Sequence, residues 1–191
     1  ALALAPDAVV GVDTASTDIR AVWLAALLDA RHSTDAAATV AEARAMRRRQ
    51  REELSGEGGA RLNLKVGDGS IADVEFAVAC AQLTARPDHP ARTVADPREA
   101  LLHLGAEGDL SPDAAGELAS AYLFLRRVES TLRLRTGTDA TRVDLDDPVA
   151  DRVAAALGLG DRVALAAALG ARRAVVSRGV QRWLDTLATR G

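Results

Sequence analysis

Lysine, cysteine and aromatic side chains are all but missing from this sequence. Lys65 is the only lysine, Cys80 the only cysteine, and aromatics make up 3% of the residues. A lone cysteine excludes an internal disulfide, and its place in an apolar run marks it as a small core residue in a reducing compartment. A net charge of −3 leaves no global basic field for nucleic acid or an anionic membrane, so neither is expected as a partner. No apolar run approaches the roughly 20 residues that span a bilayer. The opening Ala1–Ala5 stretch also lacks the basic flank of a secretory signal. His32, His89 and His103 are scattered without ligand spacing, so no metal site is expected. Gly-x-Ser-x-Gly, paired Cys and His, and a glycine-rich Lys-Ser/Thr phosphate loop are all absent, so no catalytic residue is expected either. The chain opens without methionine, and its only one is the internal Met46. The expectation is a piece of a longer polypeptide.

What is abundant is alanine and leucine, the strongest helix formers, within a 48% hydrophobic composition. This predicts an all-α fold, an antiparallel helical bundle with additional helices. Residues 1–16 show no helical period and read as a tail or the exit from a missing upstream domain. Residues 17–191 read as one helical domain. Helices are predicted from about Thr17 to Arg31, from just after Asp35 to Leu54, and from Ser70 to Ala85. Further helices are predicted over Arg98–Leu104, from Ser111-Pro112 to Arg135, from Asp147-Pro148 to near Gly158, and from Asp161 to Leu187. Gly170 and Gly179 weigh against continuity of the last. Residues 60–69 alternate apolar and polar and suggest a short extended segment.

The segment Lys65-Val-Gly-Asp-Gly-Ser-Ile-Ala-Asp-Val-Glu-Phe76 carries the most conspicuous chemistry. Asp73 and Glu75 suggest a carboxylate pair for a divalent metal. On a helix, however, residues two apart point in nearly opposite directions, so this pair is not read as a metal site. Ser70 as N-cap with Asp73 three residues on approximates a capping box. Lys65, Gly67, Gly69 and Ser70 also form a glycine-rich helix start, which can bind an anion or contact another domain. Arg44, Arg47, Arg48, Arg49 and Arg51, flanked by Glu42, Glu52 and Glu53, read as a solvated, salt-bridged face, with a contact for an acidic partner as the sharper alternative. In the long helix, Glu129 interrupts the stripe Leu118, Tyr122, Leu125, Leu132 and needs a partner. Asp73, Glu75, Arg126, Arg127 and Glu129 are therefore expected to form one partly buried ionic network between two helices.

These segments together carry a family resemblance. Gly67-Asp-Gly-Ser-Ile-Ala-Asp-Val-Glu-Phe76 resembles the Gly-x-Gly-Gly-Ile/Leu-x-Asp-Ile-Glu-Phe motif of bacterial glutamine synthetase adenylyltransferases. Tyr122-x-Phe-Leu-Arg-Arg-Val-Glu129, running on to Leu134, resembles that family's second helical signature. Residues 101–114 fit in order and spacing, and the likeness covers about residues 18–188. The stretch Leu132–Gly137 is closer to the helical domain after the second, adenylylating module. Ser70 departs from the motif's second glycine. The resemblance implies a helical regulatory or substrate-binding domain, non-catalytic alone, behind an upstream nucleotidyltransferase module. It implies a cytoplasmic parent enzyme that transfers AMP from ATP, with Mg²⁺, to a tyrosine of glutamine synthetase, with PII protein as a further partner. The chain itself would carry no cofactor. The linker domain of a PII uridylyltransferase and a free-standing helical interaction module are the alternatives.

Overall fold

The computed structural model describes residues 35–137 and 140–189. The expected tail over 1–16 and the helix over Thr17–Arg31 lie outside the described residues. The rest is all-α in character, with six α-helices and one two-stranded ribbon among the described residues. The elements in chain order are α1 (Ala36–Leu54), β1 (Arg61–Asn63), α2 (Ile71–Thr84), α3 (Pro97–Ala106), α4 (Pro112–Thr136), β2 (Arg142–Asp144), α5 (Val149–Ala156) and α6 (Arg162–Ala188).

Most of the helices start where the sequence supplies a cap. Side-chain oxygens of Asp35, Asp96, Ser111 and Asp161 accept the N–H of Ala38, Glu99, Ala114 and Ala164 at 2.8, 2.9, 3.2 and 2.8 Å, each satisfying an otherwise orphaned donor. Pro97 and Pro112 occupy the first helical position, where their missing N–H has no consequence. α4 closes on Gly137 at φ +66°, whose N–H reaches the Arg133 carbonyl.

The helix predicted over Asp161–Leu187 is α6, which runs unbroken through Gly170 and Gly179. At Gly179 the reason is packing. A Cβ at Gly179 would lie 2.9 Å from Leu118 Cδ2, so the missing side chain lets α6 approach α4. α6 packs on α1, α2, α4 and α5, and α4 also packs on α3 and α5. α2 is buried on almost every side, as its unbroken apolar wheel predicts. Leu64, Ile71, Val74, Leu125, Leu165 and Leu169 are among the fully enclosed residues of one continuous core.

Two features were not read from the sequence. The proline-containing loop after α2 winds into a 3₁₀ turn, Pro90–Thr93, held by Gln82, whose amide donates to the Ala91 and Val94 carbonyls at 2.8 Å each. The extended segment at 60–69 finds an antiparallel partner in β2, pairing Arg61 with Asp144, Leu62 with Val143 and Asn63 with Arg142.

Candidate functional site

α1 places a buried stripe of Ala36, Val40 and Arg47 against α2 and α6. Arg47 sits seven residues after Val40, two helical turns along the same face. Its side chain is 6% exposed and that of Asp73 is 9% exposed. Arg47 Nε and Nη2 donate to Asp73 Oδ1 at 3.0 and 2.8 Å, and Nη1 donates to Gln50 Oε1 at 3.0 Å. Nη2 also reaches the Gly67 carbonyl at 3.4 Å and Ser70 Oγ at 3.3 Å, and the guanidinium lies 5.7 Å from the centre of the Phe76 ring. A planar fork with five donors suits such a buried junction, where a lysine would satisfy fewer groups.

The turn that carries the first signature closes on itself. Asp73 Oδ2 accepts the Ser70 N–H at 2.9 Å, the carboxylate half of the expected capping box, while the Ser70 hydroxyl donates to the Lys65 carbonyl at 2.9 Å. The N–H groups of Ile71, Ala72 and Asp73 go to the carbonyls of Leu64, Lys65 and Ser70. Those of Gly67 and Asp68 go to the Asn63 carbonyl and Glu57 Oε2. The first amide donors of α2 are therefore occupied within the chain, as the capping role of Ser70 requires, rather than turned outward as a backbone cradle for an anion. The glycines serve close packing instead. A Cβ at Gly69 (φ +62°) would collide with the Arg173 carbonyl of α6, and one at Gly67 would meet Glu57 and the Asn63 carbonyl. Arg173 fastens the turn by donating to the Asp68 carbonyl at 2.8 Å and to Glu57 Oε1 at 2.7 Å. Of the four predicted residues only Lys65 is exposed.

The single ionic network expected between α2 and α4 is two clusters. Asp73 turns to α1, where Arg47 and, at 3.7 Å, Arg51 meet it. Glu129, 2% exposed, is held within its own helix by Arg126 at 3.2 Å and Arg133 at 3.4 Å. Arg127 is exposed on α4. What joins the two signatures is neutral on one side: the Tyr122 hydroxyl donates to Glu75 Oε1 at 3.3 Å. Burial, then the Glu75 carboxylate, push the Tyr122 phenol up to about 12. Because Asp73 and Glu75 face different helices, they do not share a cation site. No group of three metal-ligating side chains occurs among the described residues.

The arginine run of α1 also differs from a uniformly solvated face. Arg48 and Arg49 are exposed, but Arg47 is core. Arg44 crosses to α6, reaching Asp185 Oδ1 at 2.6 Å, and Arg51 crosses to the turn, reaching Asp68 Oδ1 at 2.9 Å. Between α1 and α6 lies an open groove of about 750 Å³, with Phe76, Val180 and Leu184 in its floor and arginines of both helices on its walls. It is the candidate functional surface, and the sequence reading did not foresee the α6 wall. Arg178 and Arg182, four apart on one helical face, were the available signal.

Comparison with known proteins agrees with the architecture. A sequence profile of the family described as GlnD PII-uridylyltransferase matches residues 35–188. The chain is similar to the bifunctional glutamine synthetase adenylyltransferase/adenylyl-removing enzyme of Aromatoleum aromaticum, 36% identical over 118 residues, covering 61% of this chain and 12% of that protein. The enzymes of the same name from Leifsonia xyli subsp. xyli and Mycobacterium tuberculosis are 36% identical over 95 residues and 40% identical over 97. Each covers 50% of this chain, against 9% and 10% of the respective relative. The chain thus spans about a tenth of the length of the curated relatives it matches. The profile covers all six helices and both strands, and the chain belongs to this family of nucleotidyltransferase-associated helical domains, the one described as GlnD PII-uridylyltransferase.

Proposed function

We propose that this chain is the helical domain of a glutamine synthetase adenylyltransferase-type enzyme and is non-catalytic alone. Its parent, in this reading, is a cytoplasmic enzyme that moves AMP from ATP, with Mg²⁺, onto glutamine synthetase under PII control. The observation that carries the reading is the engagement of both signatures in scaffold contacts, Asp73 with Arg47 and Glu75 with Tyr122. The first signature offers Mg²⁺ no fitting seat, because its carboxylates, Asp73 and Glu75, are spent on different neighbours. The relatives' names support adenylyl transfer as the parent activity. Lys65, exposed beside the first signature, is proposed to meet the catalytic module rather than to build a phosphate cradle.

The test supplies labelled ATP, Mg²⁺ and glutamine synthetase to the chain alone, and to the chain joined to a nucleotidyltransferase module from a relative. Labelling is expected only with the module. Efficient labelling by the chain alone would overturn the reading. The family profile favours a second reading, uridylyl transfer. Labelled UTP with PII protein tests it, and label on PII in place of glutamine synthetase would select it.

A further inference from the structure

The groove between α1 and α6 is lined partly by the scaffold contacts described above and partly by side chains outside them. Its floor is apolar, formed by Ala43 of α1, Phe76 of α2, and Val180 and Leu184 of α6. Its walls carry six arginines, with Glu52 beside Arg48 on the α1 side. Arg44, Arg47 and Arg51 are each neutralised by a carboxylate of the chain, Asp185, Asp73 and Asp68. Arg48 on one wall and Arg178 and Arg182 on the other have no carboxylate partner among the described residues. Two N–H groups on the α1 side, Arg44 Nε and Arg51 Nε, are buried without a hydrogen-bond acceptor.

We propose that this groove seats an acidic, amphipathic helical segment of a partner protein. Three features choose that occupant. A trough between two long helices is the shape into which a third helix lays its apolar face. The unpaired cations come from two different helices, and Arg178 and Arg182 are one helical turn apart, the spacing at which carboxylates recur along a helix. A compact polyphosphate would instead need its cations gathered around one point. An apolar strip beside the Arg178–Arg182 rim is the complement of an apolar strip with an acidic flank, so burial and charge would act together. The seat stands on the groove geometry and not on the adenylyl-transfer reading, and the isolated chain suffices to test both it and its failure.

The probe is a labelled 18-residue helical peptide with leucine on one face and glutamate on its flanks, followed by fluorescence anisotropy. A scrambled peptide of the same composition and an excess of tripolyphosphate are the comparators. The amphipathic peptide is expected to bind at least tenfold tighter than the scrambled one. The double reversal Arg48→Glu with Arg182→Glu should weaken it at least tenfold, with circular dichroism unchanged. Arg152→Glu, exposed on α5 away from the groove, should leave affinity within twofold. Equal binding of both peptides, an equal effect of Arg152→Glu, or no binding at all would overturn the proposal. Displacement by tripolyphosphate, with a tripolyphosphate affinity that itself depends on Arg48 and Arg182, would overturn it in favour of a phosphate site.

Discussion

Arg47 shows how one side chain can set the meaning of its neighbours. Three consecutive arginines, 46 being methionine, occupy 47–49 on α1, and only the first turns inward. Replacing it by alanine removes the main partner of a nearly enclosed carboxylate, with Arg51 left at 3.7 Å as a partial substitute. Arg47→Ala is expected to lower stability by about 3 kcal/mol, at the lower end for a broken buried pair. Arg48→Ala, one residue away and exposed, should stay within about 0.5 kcal/mol. Chemical denaturation of the two variants decides this, and equal effects would mean that the Arg47–Asp73 pair contributes no more than a surface charge. The stripe Ala36, Val40, Arg47 follows the helical period but was not read from the sequence. The composition of the segment, five arginines among eight residues, favoured the solvated reading because charge runs are normally exposed. Asp73 as its partner was not legible, because nothing local says which of several arginines will reach a carboxylate 26 residues away.

At the scale of elements, the boundaries were legible where a cap stands in the sequence, as at Asp35, Ser111-Pro112 and Asp161. They were hidden where the cause is tertiary. β2 is three residues long and owes its strand character to β1, 79 to 83 residues earlier in the pairing, so no local period announces it. The glycines of the helices make the same point and give a test. Gly170 faces open space on α6, and Gly170→Ala should stabilise by about 0.5–1 kcal/mol through helix propensity. Gly179→Ala offers the same propensity gain but drives a methyl to within 2.9 Å of Leu118 Cδ2 in the core, so a net loss of about 1–2 kcal/mol is expected. Gly69→Ala combines a left-handed φ of +62° with a collision against the backbone of α6 and should be the worst of the three. Thermal denaturation ranks them. A Gly179 variant as stable as the Gly170 variant would mean that α4 and α6 pack less tightly than this geometry requires.

For the whole molecule, the single thiol and the single phenol report on a shared alkaline limit. Cys80 is 3% exposed, and burial pushes its thiol up to about 11, with Arg44 opposing weakly. Tyr122, the only tyrosine, is 7% exposed and raised to about 12 by burial and by Glu75, against a smaller opposing pull from Arg126. Both groups are neutral when protonated, and in both the folded chain holds the proton more tightly than the unfolded chain. Below the ordinary thiol value of 9.0 both states are protonated and neither group affects stability. Above 9.0 the unfolded chain loses the thiol proton first, and above 10.0 the phenol proton, while the folded chain retains both. Stability is therefore expected to fall progressively from pH 9.0 and to go on falling until about 12, where the folded phenol also ionises. Two measurements check the sign. The phenolate absorbance of the folded chain should rise well above the ordinary tyrosine range and merge with loss of helical circular dichroism. The Cys80 thiol should resist a thiol reagent at pH 9.0, where an ordinary thiol is half ionised, and react at once in denaturant. Early, separate titration of Tyr122 with the helices intact would show that the Glu75–Tyr122 contact between the two signatures is open to water, and the interface they form would then need another source of cohesion.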